Sequence, residues 1–188
     1  TYTGRDKVLF CGYHGWHDWY ICANLEHPDA LNAHLRPGIK PLGVPKVLAG
    51  TSIPFEYNNL ESLKEALERF RGELACIIME PCRSSFPDEG YLKGVRDLAD
   101  DYDVVLIFDE IVTGFRMAIG GAQEYFGVTP DIAVFGKAIA NGFPLTVVAG
   151  KREVMAPSEE SFISSTFWGE TSGLAAGLAC IRELKRTN

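Results

Sequence analysis

The sequence predicts an α/β fold with a mostly parallel central sheet and helices on both faces. Two segments, "LACIIME" (74–80) and "VVLIFDE" (104–110), are almost continuously apolar. A strand with one solvent-exposed face alternates between apolar and polar residues, whereas a strand covered on both faces does not. A segment with helical periodicity separates the two runs, and alternation of strand and helix is typical of parallel sheets.

The first half of the chain begins with a predicted strand at Lys7–Gly12, which ends in glycine. Residues 24–54 are rich in Pro, Gly, Asn and His, and they predict a long irregular excursion with one helical turn near Ala30. The stretch "NNLESLKEALERF" (58–70) predicts an amphipathic helix, with Asn58 and Glu61 as its capping box. Four apolar side chains share one face of that helix: Leu60, Leu63, Leu67 and Phe70.

The second half continues the alternation. Pro81 stops the strand at 74–80, and "EGYLKGVRDLADDYD" (89–103) predicts a second amphipathic helix before the strand at 104–110. "DIAVFG" (131–136) and "LTVVAG" (145–150) predict two more strands, and a last helix is expected at about Ser172–Leu184. The whole chain, 1–188, is predicted to be one domain.

Composition excludes two classes of function. The chain of 188 residues has a net charge of −7, which argues against nucleic acid as a partner because phosphate binding needs a basic footprint. No apolar run approaches the roughly 20 residues that span a bilayer, so no membrane partner is expected. The five cysteines are odd in number and irregularly spaced, which favours reduced thiols and a cytoplasmic location.

Three charged side chains follow successive predicted strands: Glu80, Asp109 and Lys137. In parallel sheets, ligands bind at the carboxyl ends of the strands, so the three groups are expected at one rim. Each of them alone could be an ordinary salt bridge or a solvated charge. Together they favour a function, because an uncompensated charge at the end of a buried strand is costly.

Pyridoxal 5'-phosphate (PLP) is the cofactor whose chemistry needs a lysine and a carboxylate in one crevice. Its aldehyde bonds to a lysine amine, and its ring nitrogen stays protonated beside an acid. The ring also needs an aromatic neighbour, and "CGYHGWHDWY" (11–20) offers several. The same aromatics could instead pack the core. A zinc site at Cys11, His14, His17 and Cys22 is a further alternative, although structural zinc sites usually pair two separated ligand clusters.

Three longer segments resemble the class III aminotransferases, which are PLP enzymes of fold type I. They are "LIFDEIVTGFR", "FGVTPDIAVFGKAIANGFPL" and "STFWGETSGLAAG", and a lysine follows the signature Asp by 28 positions. The closest branch looks like glutamate-1-semialdehyde aminomutase and its aminotransferase relatives. The resemblance implies the large domain of such an enzyme, incomplete at both ends, without the N-terminal phosphate loop and the small C-terminal domain.

The resemblance also implies roles for particular residues. Lys137 would be the catalytic Schiff-base lysine and Asp109 the partner of the pyridine nitrogen. Tyr13 would stack on the ring with His14 beside it, and Ile111 would cover the opposite face. No metal is implied.

Two further positions are implied by the same resemblance. Thr166 would reach the cofactor phosphate of a neighbouring subunit, which implies a homodimer with shared active sites. Ser85 stands near the ring where the family usually has Glu or Asn. Arg83 is unusual, and either contact with a substrate carboxylate or phosphate or a surface charge is compatible with the sequence.

The expected function is PLP-dependent transfer of an amino group from a small-molecule donor to a ketone or aldehyde acceptor. An aminomutase of the glutamate-1-semialdehyde type is an alternative within the same chemistry. From another class, the chain could be a truncated, catalytically silent domain for dimerisation or binding. On its own, this fragment is expected to bind the cofactor poorly.

Overall fold

The computed structural model describes residues 1–187 in two compact units. The N-terminal unit is Thr3–Leu106, and the C-terminal unit runs from Ile107 onward and includes Thr1–Tyr2. Strands and helices follow the order β1 (Lys7–Cys11), α1 (Asp18–Ile21), α2 (Ala23–Glu26), β2 (Ser52–Pro54), α3 (Leu60–Arg69), β3 (Leu74–Met79), α4 (Tyr91–Asp101), β4 (Val105–Asp109), α5 (Ala122–Phe126), β5 (Ile132–Phe135), β6 (Val147–Gly150), α6 (Arg152–Met155) and α7 (Ser172–Thr187).

The sheet of the N-terminal unit is parallel. Strand β1 lies between β2 and β3, with Leu9 paired to Ile53 on one side and to Ile77 on the other. Leu9 and Ile77 are fully buried, as the apolar runs predict. Strand β2 was not predicted, because it has three residues and ends in Pro54 within the excursion at 24–54.

The two predicted amphipathic helices of this unit form as α3 and α4, which pack against each other. Leu63 and Val95 are fully buried on their inner faces. Gly94 lies so close to α3 that a Cβ atom there would meet Leu60 Cδ1 at 2.5 Å, which explains a glycine inside a helix. The helices therefore pack at a distance set by this glycine.

The predicted capping box of α3 is wrong by one residue. The cap is Asn59, whose side chain accepts a hydrogen bond from the Ser62 N–H at 3.0 Å. Asn58 has φ +60°, and its side-chain oxygen accepts from the Asp88 N–H at 3.0 Å. Tertiary contacts to a distant loop therefore engage Asn58, and its neighbour supplies the cap.

The C-terminal unit contains a mixed sheet. Strand β4 crosses the unit boundary and pairs in parallel with β5, Phe108 opposite Ala133, while β5 pairs with β6 in antiparallel fashion. With two parallel pairs in the first unit and one in the second, the prediction of a mostly parallel α/β sheet is confirmed. The last helix, α7, extends three residues beyond the predicted Leu184.

Helix α7 contacts the segment before β6 through two buried glycines. A Cβ atom at Gly173 would lie 2.9 Å from the carbonyl oxygen of Pro144, and one at Gly177 would lie 2.8 Å from Leu145 Cδ2. Within residues 1–187, no helix is long and apolar enough to cross a membrane. Among residues 1–187, no disulfide joins any of the five cysteines.

Candidate active site

Asp109 is the last residue of β4, and its side chain is 9% exposed. One carboxylate oxygen accepts a hydrogen bond from the Ile111 N–H at 3.2 Å, which fixes the turn that follows the strand. Because β4 and β5 are parallel, the carboxyl ends of both strands lie at the same edge of this unit. Asp109 thus sits where this class of sheet binds ligands.

Lys137 follows β5 by two residues and begins a 3-10 turn, Lys137–Ile139. Its φ of +45° lies in the left-handed region, which residues other than Gly, Asn and Asp seldom adopt. The Lys137 carbonyl accepts a hydrogen bond from the Asn141 N–H at 2.9 Å, which closes the turn. Backbone strain of this kind persists where the surroundings over-determine it, and it is concentrated at functional sites.

The exposed Lys137 side chain lines an open pocket of about 560 Å³. The remaining lining residues form one continuous segment: Gly142, Phe143, Pro144, Leu145 and Thr146. This is the segment against which the glycines of α7 pack. The position of α7 therefore shapes the wall opposite the lysine.

Ile111 connects the aspartate to the lysine turn. A Cβ atom built on Gly136, the residue before Lys137, would lie 3.5 Å from Ile111 Cγ2. The apolar side chain of Ile111 therefore lies beside the start of the lysine turn, while its N–H bonds to Asp109. Ile111 thus links Asp109 to the backbone immediately before Lys137, inside one unit.

Glu110 is a site residue to which sequence reasoning assigned no role. It is completely buried, and its carboxylate accepts hydrogen bonds from the Ala122 and Gln123 N–H groups, both at 2.8 Å. The Thr113 hydroxyl donates to the same carboxylate. These bonds attach the start of α5 to the end of β4, next to Asp109. The amide donors lie 12 and 13 residues away from Glu110 in the sequence, so no local sequence pattern predicts these hydrogen bonds.

The aromatic segment at 11–20 divides into packed and exposed residues. Tyr20 is fully buried, whereas Tyr13 is 37% exposed, with its ring edge-on to Tyr20 at 6.0 Å. His14 is buried and stacks on Trp19, with ring centres 6.4 Å apart. Core packing therefore accounts for Tyr20 and His14, and Tyr13 keeps an accessible ring.

The zinc alternative gains no support from this segment. In the described part of the chain, no group of three or more His, Cys, Asp or Glu side chains is arranged to hold a metal ion. Burial instead raises the pKa of the Cys11 thiol to about 12, with a smaller lowering by Arg83 and a smaller raising by Glu80.

Glu80 and Arg83 interact directly after β3. Arg83 Nε lies 3.4 Å from Glu80 Oε2, and these side chains are 21% and 18% exposed. Ser85 is exposed in the same loop, and its carbonyl accepts a hydrogen bond from the Tyr57 hydroxyl at 3.2 Å. The N-terminal unit contains Tyr13, His14, Glu80 and Ser85. The C-terminal unit contains Asp109, Ile111, Lys137 and Thr166.

Thr166 lies in an exposed turn at 166–169. Its neighbours Ser165 and Phe167 line a second pocket of about 620 Å³, together with residues from 144–147 and the start of α7. Thr166 is thus on the surface of its own chain, and it is not among the residues that line the lysine pocket.

The chemical types of these residues fit PLP. A carboxylate and a lysine stand at the ends of neighbouring parallel strands, and the apolar side chain of Ile111 lies beside the residue that precedes the lysine. These are the groups that would bind the aldehyde, the ring nitrogen and one ring face.

Comparisons with known proteins find an aminotransferase and an aminomutase among the similar chains. The chain is 41% identical to the 3-aminobutyryl-CoA aminotransferase of Cloacimonas acidaminovorans, over 98% of this chain and 42% of that protein. It is 38% identical to the glutamate-1-semialdehyde 2,1-aminomutase of Methanocaldococcus jannaschii, over 97% of this chain and 44% of that protein. The chain therefore spans less than half the length of these curated relatives.

Solved structures show the same fold. An omega-transaminase from Sphaerobacter thermophilus superposes with a TM-score of 0.80 and 29% identity, over 97% of this chain and 44% of that one. A transaminase described as having PLP bound superposes with a TM-score of 0.82 and 27% identity, with the same coverage. The model of the family "Aminotransferase class-III" matches residues 4–188. The chain belongs to the class-III aminotransferase family.

Proposed function

We propose that the protein carrying this chain transfers an amino group from a small-molecule donor to a ketone or aldehyde acceptor, with PLP as its cofactor. One observation carries the proposal: Asp109 and Lys137 follow the adjacent parallel strands β4 and β5 and are linked through Ile111. Membership of the class-III family supports the same chemistry.

Lys137 would hold the aldehyde carbon of PLP through Nζ, and it would carry a proton to and from the substrate once an incoming amine has released it. Asp109 would hold the proton on the ring nitrogen. Bound PLP supplies an electron-withdrawing ring that makes the substrate α-hydrogen acidic. Ile111 and Tyr13 would cover the two ring faces, with His14 beside Tyr13 and Ser85 near the ring.

We further propose that the protein works as a cytoplasmic homodimer with shared active sites. Thr166 would contact the cofactor phosphate of the partner subunit. Its turn contains two exposed apolar side chains, Phe167 at 76% and Trp168 at 69%, and Phe162, at 98% exposure, precedes the turn. A surface of this kind is typical of a protein interface.

The proposal is tested with purified protein loaded with PLP, an amino donor and a carbonyl acceptor. Asp109→Asn should lower the rate at least about 10-fold, because it removes a charged hydrogen bond of about 1.5–3 kcal/mol from the ring nitrogen. Asp97→Asn, which changes an exposed carboxylate paired with Lys93, is the matched control and should keep the parental rate. Equal rates for all three proteins would refute the proposed role of Asp109.

An aminomutase is the second candidate, favoured by the 38% identity to the Methanocaldococcus jannaschii aminomutase. A mutase keeps donor and acceptor on one molecule, so it forms its product from a single amino aldehyde. One experiment distinguishes the two functions. Product that forms only when a second amine is supplied indicates a transferase, and product formed without it indicates a mutase.

A further inference from the structure

Three side chains hold the backbone at Gly12–Tyr13. The Gly12 N–H donates to His34 Nδ1 at 3.1 Å, and the Gly12 carbonyl accepts from the Tyr20 hydroxyl at 2.9 Å. The Tyr13 N–H donates to Glu80 Oε2 at 3.0 Å. We call this arrangement of His34, Tyr20 and Glu80 the Gly12–Tyr13 clamp.

This backbone needs a clamp because glycine restrains it weakly. Gly12 has φ +115°, a region open to glycine, and a Cβ atom there would collide with the Glu80 carboxylate. Strand β1 ends at Cys11, whose carbonyl accepts a hydrogen bond from the Glu80 N–H at 3.0 Å, and beyond that point the bonds described for Gly12 and the Tyr13 N–H are to side chains. The three side chains therefore fix the backbone from which the Tyr13 ring projects.

Arg83 joins two of the three members of the clamp. Its Nε lies 3.4 Å from Glu80 Oε2, and its Nη2 donates to the carbonyls of Ala33 at 3.1 Å and His34 at 3.4 Å. One planar guanidinium thereby fixes both the carboxylate that holds Tyr13 and the backbone that carries His34. Two of its three nitrogens, Nε and Nη2, are therefore engaged inside the unit.

We propose that Arg83 is a positioning residue, which sets the angle of the Tyr13 ring by fixing Glu80 and His34 in the Gly12–Tyr13 clamp. The consequence for the cofactor rests on the proposed function, in which Tyr13 stacks on PLP. Arg83 touches neither PLP nor substrate in this account. It acts through Tyr13 alone.

The first test measures hydrogen exchange of the Gly12 and Tyr13 amides in the protein without PLP. Arg83→Ala should accelerate exchange at Tyr13 about 10- to 100-fold, as expected for the loss of a charged hydrogen-bond partner. Arg96→Ala is the matched control, because Arg96 is also little exposed, at 15%, and pairs with Asp100 at 2.6 Å in the same unit. Unchanged exchange at Tyr13, or equal acceleration by both variants, would overturn the clamp.

The second test is a double-mutant cycle on the dissociation constant of PLP. Tyr13→Ala and Arg83→Ala should each weaken binding about 2- to 10-fold, the range expected for the loss of one aromatic stacking contact. If Arg83 acts through Tyr13, adding Arg83→Ala to Tyr13→Ala should weaken binding no further. Effects that multiply would show a separate role for Arg83 and overturn the inference.

Visible circular dichroism of the bound cofactor gives an independent signature. At saturating PLP, Arg83→Ala should reduce the signal per bound cofactor, because the ring loses a fixed neighbour, whereas Arg96→Ala should leave it unchanged. An unchanged signal in Arg83→Ala would count against the inference. If the protein without substitutions binds no PLP, the proposed function fails. The amide hydrogen exchange of Arg83→Ala and Arg96→Ala still supports or overturns the clamp in that case.

Discussion

Glu110 offers a sharp test of how the strand end that carries Asp109 is held. Its buried carboxylate accepts three hydrogen bonds, two of them from the backbone amides that begin α5. In Glu110→Gln, the side chain keeps its shape but one oxygen becomes an NH₂ donor. Whichever way the new amide is oriented, it faces one of the two backbone N–H groups with a donor.

The cost follows from the contacts. A buried N–H group without an acceptor lowers the free energy of unfolding by about 1–3 kcal/mol. Replacing charge-assisted hydrogen bonds by neutral ones lowers it by about 1 kcal/mol more. Glu110→Gln should therefore destabilise the protein by about 2–4 kcal/mol. For a domain of this size, that loss lowers Tm by about 4–16 °C.

Thermal unfolding followed by calorimetry measures this effect. The control is Glu65→Gln, which changes an exposed carboxylate in α3 and should alter stability by less than about 0.5 kcal/mol. Unfolding of Glu110→Gln at the same temperature as Glu65→Gln would contradict this expected loss. That result would mean that the Glu110 hydrogen bonds contribute nothing that an amide cannot replace.

Two other perturbations test the packing and the electrostatics. Gly173→Ala places a methyl group 2.9 Å from the Pro144 carbonyl oxygen and should lower the free energy of unfolding, measured in urea, by about 1–3 kcal/mol. The control is Ala179→Ser, an exposed position on the same helix, which should lower it by less than about 0.5 kcal/mol. Equal losses in the two variants would contradict the close contact at Gly173. Burial, helped by the charges of Arg83 and His14, lowers the pKa of His34 from 6.5 to about 4. As the pH falls, the unfolded chain therefore binds this proton before the folded chain does. The contribution of His34 to the free energy of unfolding is fully present above pH 6.5 and decreases by about 3 kcal/mol as pH decreases from 6.5 to about 4. Urea unfolding across this window checks the slope, which His34→Gln should flatten; an unchanged slope would contradict the assignment.

The fold was predictable where local pattern and burial agree. Leu63 and Leu67 in α3, and Val95 and Ala99 in α4, are buried at the spacing that their sequence indicates. The buried strands β3 and β4 were placed within one residue at each end, because a dense apolar run leaves few alternatives. Helix α5 and strand β2 were missed, since five and three residues carry too little periodicity.

The site was predictable at the strand ends and unpredictable in its supports. Asp109 and Lys137 follow apolar runs directly, so the sequence marks both positions. Asn58 looked like a cap but bonds a loop 30 residues away. Arg83 bonds carbonyls 49 and 50 residues earlier in the chain, and such contacts depend on the folded path of the excursion at 24–54. No short-range pattern in the sequence encodes them.

Lys137 is the residue proposed to hold PLP. Reduction of the PLP-loaded protein with borohydride, followed by peptide mass spectrometry, identifies the lysine that carries the cofactor. We expect the phosphopyridoxyl group on the peptide that contains Lys137, and we expect Lys137→Ala to abolish the label while Lys185→Ala, an exposed lysine in α7, retains it. A label on a different lysine, or a label that survives Lys137→Ala, would contradict the account.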